Sequence, residues 1–381
     1  MEVSMGKKVD YLIRGGRVLD PYRGLDAICN IAVKDGIIVN AEGVDAEEEI
    51  NAEGCIVTPG LIDFHCHVCS AISDLPAAAE IQCFPTGVTT AVDAGSSGTA
   101  NYEAFRFLTF NSRVRILAYL NVCPAGLATK AYHENLNPAC FQKSVILRYL
   151  KKYKDQLLGL KLRSSKELVG EYGLEPLKTM ISIAEEAHCP VVVHTTNPPV
   201  LPEELASLLR AGDVYAHVYQ GKGDTVVRDG HVVEAMREHQ KRGVIFDAAN
   251  GVNHFSLPVA QTCLAEGFLP DIISTDLSTK SSYKPGMVFS LPFILSKYIA
   301  LGMPLLEIIR RATTNPARVI GQEQELGSLC EGTCADITIS RTVAHSTDFK
   351  DFAGKSLKGD TLLRTELTMR EGTVVYRQLE F

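Results

Sequence analysis

No apolar run in this 381-residue chain approaches the ~20 residues that a bilayer span needs. The first residues show no apolar segment followed by a small-residue cleavage site. Fixed-period repeats and low-complexity tracts are absent. Basic charge is not in excess: 38 Lys and Arg face 45 Asp and Glu, a net charge of −7, which gives no electrostatic case for nucleic acid. The eleven cysteines are odd in number and lack framework spacing, so they read as free thiols rather than disulfides. These absences exclude membrane-spanning, collagen-like, disordered and disulfide-stapled classes. The expectation is a cytoplasmic globular protein with no nucleic-acid or membrane partner.

What is present is a core-forming composition, 46% hydrophobic and 22% charged. Residues 9–57 read as short strands separated by turns at Gly15-Gly16, Asp20-Pro21, Asp35-Gly36 and Glu42-Gly43, with Glu47-Glu48-Glu49 as a solvated turn. The C-terminal residues read similarly, with strands at 335–340 and 372–376. Neither end has enough strands to bury a core alone, so the two are expected to pack as one discontinuous β-sandwich domain. The middle alternates differently. Apolar, β-branched runs at 60–64, 88–93, 115–120, 159–163, 191–194, 214–218, 244–247 and 272–275 are separated by helical spacing, clearest at 174–187 and also at 229–242 and 290–311. Eight strands alternating with helices predict an α/β fold of the (β/α)₈ TIM-barrel type. The expected division is 1–57 and 322–381 for the small domain and 58–321 for the barrel.

The strongest chemical signal is Thr58-Pro59-Gly60-Leu61-Ile62-Asp63-Phe64-His65-Cys66-His67, which ends the first barrel strand. Residues two apart on a strand share a face, so His65 and His67 can meet one metal while Cys66 turns away. A bare His-x-His is common by chance, and its weight comes from its place at the barrel mouth. Lys161, His194, His217 and Asp276 occupy equivalent strand ends. The spacing supports this: 96 residues from His65 to Lys161 is three strand–helix units, the next two steps of 33 and 23 are one unit each, and 59 to Asp276 is two.

With Ala312-Thr313-Thr314-Asn315-Pro316-Ala317 and the stretch Gly327-Ser328-Leu329 to Asp336, these residues resemble the amidohydrolase superfamily of metal-dependent hydrolases over nearly the whole chain. The resemblance implies that His65, His67 and Asp276 bind the more buried of two divalent ions, and His194 and His217 the more exposed. Lys161, carboxylated by CO₂ to a carbamate, would bridge them. Nitrogen and oxygen ligands favour Zn²⁺, with Mn²⁺, Fe²⁺ and Co²⁺ also compatible. Catalysis would use a metal-bridging hydroxide, with Asp276 shuttling its proton.

Deaminases of this fold commonly carry a glutamate three residues after a strand-end histidine; here Gln220 and Asn197 stand at those places. Dihydroorotases typically carry an arginine where this chain has Cys69. The pattern Gly159-x-Lys161-x-Arg163 is similar to the N-acyl-amino-acid deacetylase branch, which also takes acylated α-hydroxy acids. Arg163 then reads either as the guanidinium that holds a substrate carboxylate or as a rim ion pair. Asn250, His254, Tyr219 and Lys222 are further candidate substrate contacts. The expected partner is a small carboxylate-bearing acyl substrate, in a possible homo-oligomer. The alternatives are a cyclic amide hydrolase of the dihydroorotase or hydantoinase type, a deaminase, or a catalytically silent barrel used for binding or assembly.

Overall fold

The computed structural model describes residues 7–69, 71–72, 78–128 and 133–381. Seven parallel strands follow one another in chain order: Leu61–Cys66, Val88–Ala94, Arg115–Asn121, Leu157–Arg163, Val191–His194, Val214–Ala216 and Ile245–Asp247. Residues 272–277 take the eighth place. Ile272 bridges to Asp247 on one side and Leu277 to Cys66 on the other, which closes the sheet into a barrel. Ile62, Phe64, Val92, Tyr119, Val192, Val214 and Ile272 pack together in its interior, so the barrel is filled rather than hollow.

Helices cover the outside. In Glu175–Ala187, Leu177, Met180 and Ala184 are fully buried, in one apolar cluster with Leu160, Leu162 and Val191 of the neighbouring strands. His188 ends this helix in the left-handed conformation. The stretch predicted as one helix at 290–311 is two, Leu291–Ala300 and Leu305–Ala312, interrupted at Gly302 and Pro304. At 229–242 only Glu234–Lys241 is helical; Val227–Arg228 and His231–Val232 form a small hairpin around Gly230 instead. Among the described residues, no helix is long and apolar enough to cross a membrane.

Both chain ends join one mixed sheet. Its order is Thr373–Arg377, Ser356–Arg370, Ile337–Lys350, Ile56–Pro59, Lys7–Asp20, Leu25–Lys34 and Ile37–Val39, with Val44–Asn51 pairing alongside Lys7–Asp20. Two sequence expectations need correcting here. Gly15-Gly16 is no turn: Gly15, at φ 69°, sits in a bulge that lets one strand run through from Lys7 to Asp20. Glu47-Glu48-Glu49 lies in a strand, its carboxylates paired with Lys8, Arg377 and Arg14. The sheet is fastened to the barrel by Arg115 at the foot of the third strand, whose Nη1 donates to Asp336 Oδ2 at 2.7 Å.

Candidate metal centre and substrate cavity

The first barrel strand shifts register against its neighbour between Asp63 and Cys66. This irregularity re-phases the side chains. Phe64 stays in the barrel interior, and Cys66 packs in the helix-side cluster with Cys83 and Phe84. His65 and His67 both line a cavity of about 320 Å³ at the C-terminal mouth, together with Lys161, His194, His254 and Asp276. Lys161 Nζ is 3.2 Å from His65 Nε2. Asp276 Oδ1 is 3.3 Å from His67 Nε2 and 3.9 Å from His65 Nε2, and its Oδ2 is 3.6 Å from His254 Nε2. The His217 ring lies 4.3 Å from that of His194 and 5.0 Å from that of His65, centre to centre. The six residues singled out as ligands in the sequence thus converge.

With His254, the donor atoms of five of them form two groups, His65–His67–Asp276 and His194–His217–His254, in each of which the atoms lie within 4.8 Å of one another. Hydrogen bonds on the far side of the rings set which nitrogen is free. His217 Nδ1 donates to the Ala249 carbonyl at 2.7 Å, which leaves Nε2 a lone pair; that Nε2 is buried and has no hydrogen-bond partner. Ser96 Oγ gives its proton to Asp93 Oδ2 at 2.7 Å, so toward His67 Nδ1, at 2.8 Å, it acts as acceptor. His65 Nδ1 lies 3.3 Å from Asp247 Oδ2, close enough to pair although not aligned as a hydrogen bond. Such carboxylate and carbonyl partners hold metal-binding imidazoles in orientation. An orphaned buried nitrogen, one converging nitrogen–oxygen set and a second set of three imidazoles fit divalent cations.

Charge states fit as well. Burial holds His65, His194 and His217 well below the usual imidazole range, and His254 down to about 4. Burial also pushes Lys161 down to about 8. For Asp276 burial acts to raise the value, but the facing histidines hold it below the carboxylate range. Neutral imidazoles and an ionised carboxylate are the forms that bind a cation.

The backbone is strained here. His217 at φ 68°, Ala249 at φ 34° and Asp276 at φ 52° are non-glycine residues in the left-handed region, which costs of order 1–3 kcal/mol each. Two glycines make room: a Cβ on Gly95 would lie 2.5 Å from Lys161 Cγ, and one on Gly251 would lie 2.5 Å from Asp276 Oδ2.

Of the candidate substrate contacts, Arg163 and Lys222 line the cavity, and His254 sits among the donor imidazoles. Asn250 and Tyr219 do not. Asn250 is fully buried, donating to the Ser274 carbonyl and accepting from Lys297 Nζ. Tyr219 is fully buried in the core and donates to the Phe268 carbonyl. Both point away because loop residues have no fixed alternation. Sequence reasoning passed over Ser96, Asp93, Asp247 and Glu134. Of these, Asp93 and Asp247 carried a readable signal, since each ends an apolar run read as a barrel strand.

Residues 56–361 match the model of the amidohydrolase family. The chain belongs to this family. It is 33% identical over 310 residues to deacetylase Atu3266 of Agrobacterium fabrum, a match that covers 81% of this chain and 75% of that protein. It is 27% identical over 375 residues to a deacetylase of Enterococcus faecalis, covering 96% and 98%. Among solved structures, it is similar to an adenine deaminase at TM-score 0.89 and 26% identity, covering 97% of this chain and 100% of the other. It is also similar to a dihydroorotase at TM-score 0.87 and 28% identity, covering 97% and 98%. The amidohydrolase described here is therefore a metal-dependent hydrolase of C–N bonds in the deacetylase-like branch, built as a TIM barrel with a separate β-sandwich domain.

Proposed function

We propose that this amidohydrolase cleaves the acyl group, in particular acetyl, from an N-acyl amino acid or from the related acylated α-hydroxy acid. The observation that carries the reading is Arg163. It lines the same cavity as the donor groups, and its Nη1 and Nη2 make no hydrogen bond to the described residues. A guanidinium with two unclaimed N–H groups suits a substrate carboxylate in a bidentate pair. Lys222 adds positive charge to the same wall.

His65, His67 and Asp276 would hold one divalent ion and His194 and His217 a second, with Lys161 between them as a carbamate. The ions, most simply Zn²⁺, would supply Lewis acidity and an acidified water. The chain's own residues do the rest. Arg163 orients the substrate by its carboxylate, and Asp276 takes the proton of the attacking water and passes it to the leaving nitrogen or oxygen. His65, His194 and Lys161 are buried, which lowers the local dielectric around the reacting group.

The names of the relatives differ, and the residues favour the deacetylases among them. Gln220, where deaminases commonly place a glutamate, is buried and holds the Lys222 amide at 2.7 Å. Cys69, where dihydroorotases typically carry arginine, is buried in the apolar cluster and offers no charge to a substrate. Free cysteines throughout are consistent with work in the cytoplasm. We propose domain boundaries at 57/58 and 321/322, the first of which falls within the strand Ile56–Pro59.

A panel of N-acetyl-D- and N-acetyl-L-amino acids, acetylated hydroxy acids and cyclic ureides tests the reading. Turnover is expected on one of the first three classes. Strong turnover of ureides with none of acyl compounds would overturn it.

A further inference from the structure

An arginine at a strand end has several rotamers, and ordering a long side chain costs up to about 2 kcal/mol. A carboxylate-binding Arg163 therefore needs a hold that leaves its binding edge open. Glu134, in the third barrel loop, is placed to give one. Its side chain is only 3% exposed, and a carboxylate buried to that degree requires partners for both oxygens. Oε2 lies 2.7 Å from Arg163 Nε, an ion pair whose N–H is not aligned along the contact. Oε1 accepts from Asn121 Nδ2 at 2.9 Å.

Asn121 is itself fixed. It ends the third strand, is fully buried, donates to the Gly95 carbonyl at 3.1 Å and accepts from the Cys123 amide at 2.9 Å. A connected polar chain thus runs from the second loop through the third strand end and third loop to the fourth strand end, where Arg163 sits two residues beyond Lys161. Glu134 engages the guanidinium at Nε, and Nη1 and Nη2 make no hydrogen bond to the described residues.

We propose that Glu134 is a positioning residue that sets specificity for carboxylate-bearing substrates, by holding Arg163 at Nε so that its Nη edge faces the cavity. This rests on the reading of Arg163 given above. It also has a consequence that a purely structural role would not have. Without Arg163, the buried Glu134 carboxylate stands unpaired beside the cavity and repels an anionic substrate. Removing its charge in that background should then relieve binding rather than impair it.

The experiment compares wild type, Glu134→Gln, Arg163→Met and the double variant on an N-acetyl amino acid and on its primary amide. In Glu134→Gln the KM for the acid should rise about tenfold while kcat stays within about twofold and the amide is unaffected. Adding Glu134→Gln to Arg163→Met should leave the KM for the acid unchanged or lower it. Equal KM increases on acid and amide, or single effects that simply multiply in the double variant, would overturn the proposal. If wild type turns over neither compound, the substrate reading fails and a crystal structure of Glu134→Gln decides the positioning role separately. Arg163 turned out of the cavity supports it, and Arg163 unmoved overturns it.

Discussion

His67 and Ser96 share a 2.8 Å hydrogen bond in which the hydroxyl is the acceptor, because its only proton is committed to Asp93. Asp93 is in turn fixed by the backbone amides of Ser96 and Val68, at 2.7 and 3.1 Å. The serine therefore chooses the His67 tautomer and leaves Nε2 its lone pair. Ser96→Ala should lower divalent-metal affinity by about 10–100-fold, the usual effect of losing a partner behind a ligand. Chelator competition followed by elemental analysis measures this. Unchanged affinity would show that Ser96 only fills space.

A second link crosses between the sheets. The helix Leu257–Ala265 begins at Ser256 with no side-chain cap of its own. Asp351, between the strands Ile337–Lys350 and Ser356–Arg370, supplies it: Oδ2 accepts from the Leu257 amide at 3.1 Å, and Oδ1 accepts from Ala353 and Lys355 at 2.9 Å. The same carboxylate bears on Lys297, whose burial pushes its ammonium down to about 7. Asp351→Ala should cost about 1–2 kcal/mol, as lost helix caps do, and Asp351→Asn, which keeps an acceptor, should cost less. Thermal unfolding midpoints of the two variants would rank them. An alanine variant as stable as the asparagine one would remove the capping role.

The third prediction concerns acid. Asp336 joins the mixed sheet to the barrel through Arg115 at 2.7 Å and Arg370 at 3.5 Å, and accepts from the Glu371 amide at 2.8 Å. Burial acts to raise its value, but the two guanidinium groups and the amide hold it below the ordinary 3.8. A depressed carboxylate contributes stability above its unfolded value and loses it as pH falls through the folded one. Wild type should therefore weaken below about pH 4. Asp336→Asn should be less stable at neutral pH by about 1–3 kcal/mol, since two part-buried guanidinium groups are left with only Glu371 as an ionic partner, and its stability should depend less on pH between 5 and 3. Denaturant midpoints across that range give the comparison. Parallel pH profiles for the two proteins would refute it.

The barrel was legible because each strand–helix unit adds one apolar run and one strand end. A ruler of unit lengths laid from His65 through Lys161, His194 and His217 to Asp276 finds positions that converge at the mouth. The bulge that turns His65 inward left no trace in the residues, yet simple alternation gave the same pairing of His65 with His67. The long hairpin of Ile337–Lys350 and Ser356–Arg370 was partly missed, because its outer half alternates among polar residues with no apolar run to mark it.

By itself the sequence determined the fold class and pointed to strand-end residues that the structure brings together, since strand ends inherit their direction from a regular backbone. Only the tertiary structure decided which loop residues face the cavity. Asn250 and Tyr219 turned inward to satisfy buried carbonyls, while Glu134, unmarked by any motif, came to lie against Arg163. The physical reason is that loop side chains follow no period. Their directions are set by which buried polar atoms, distant in the chain, must find a partner.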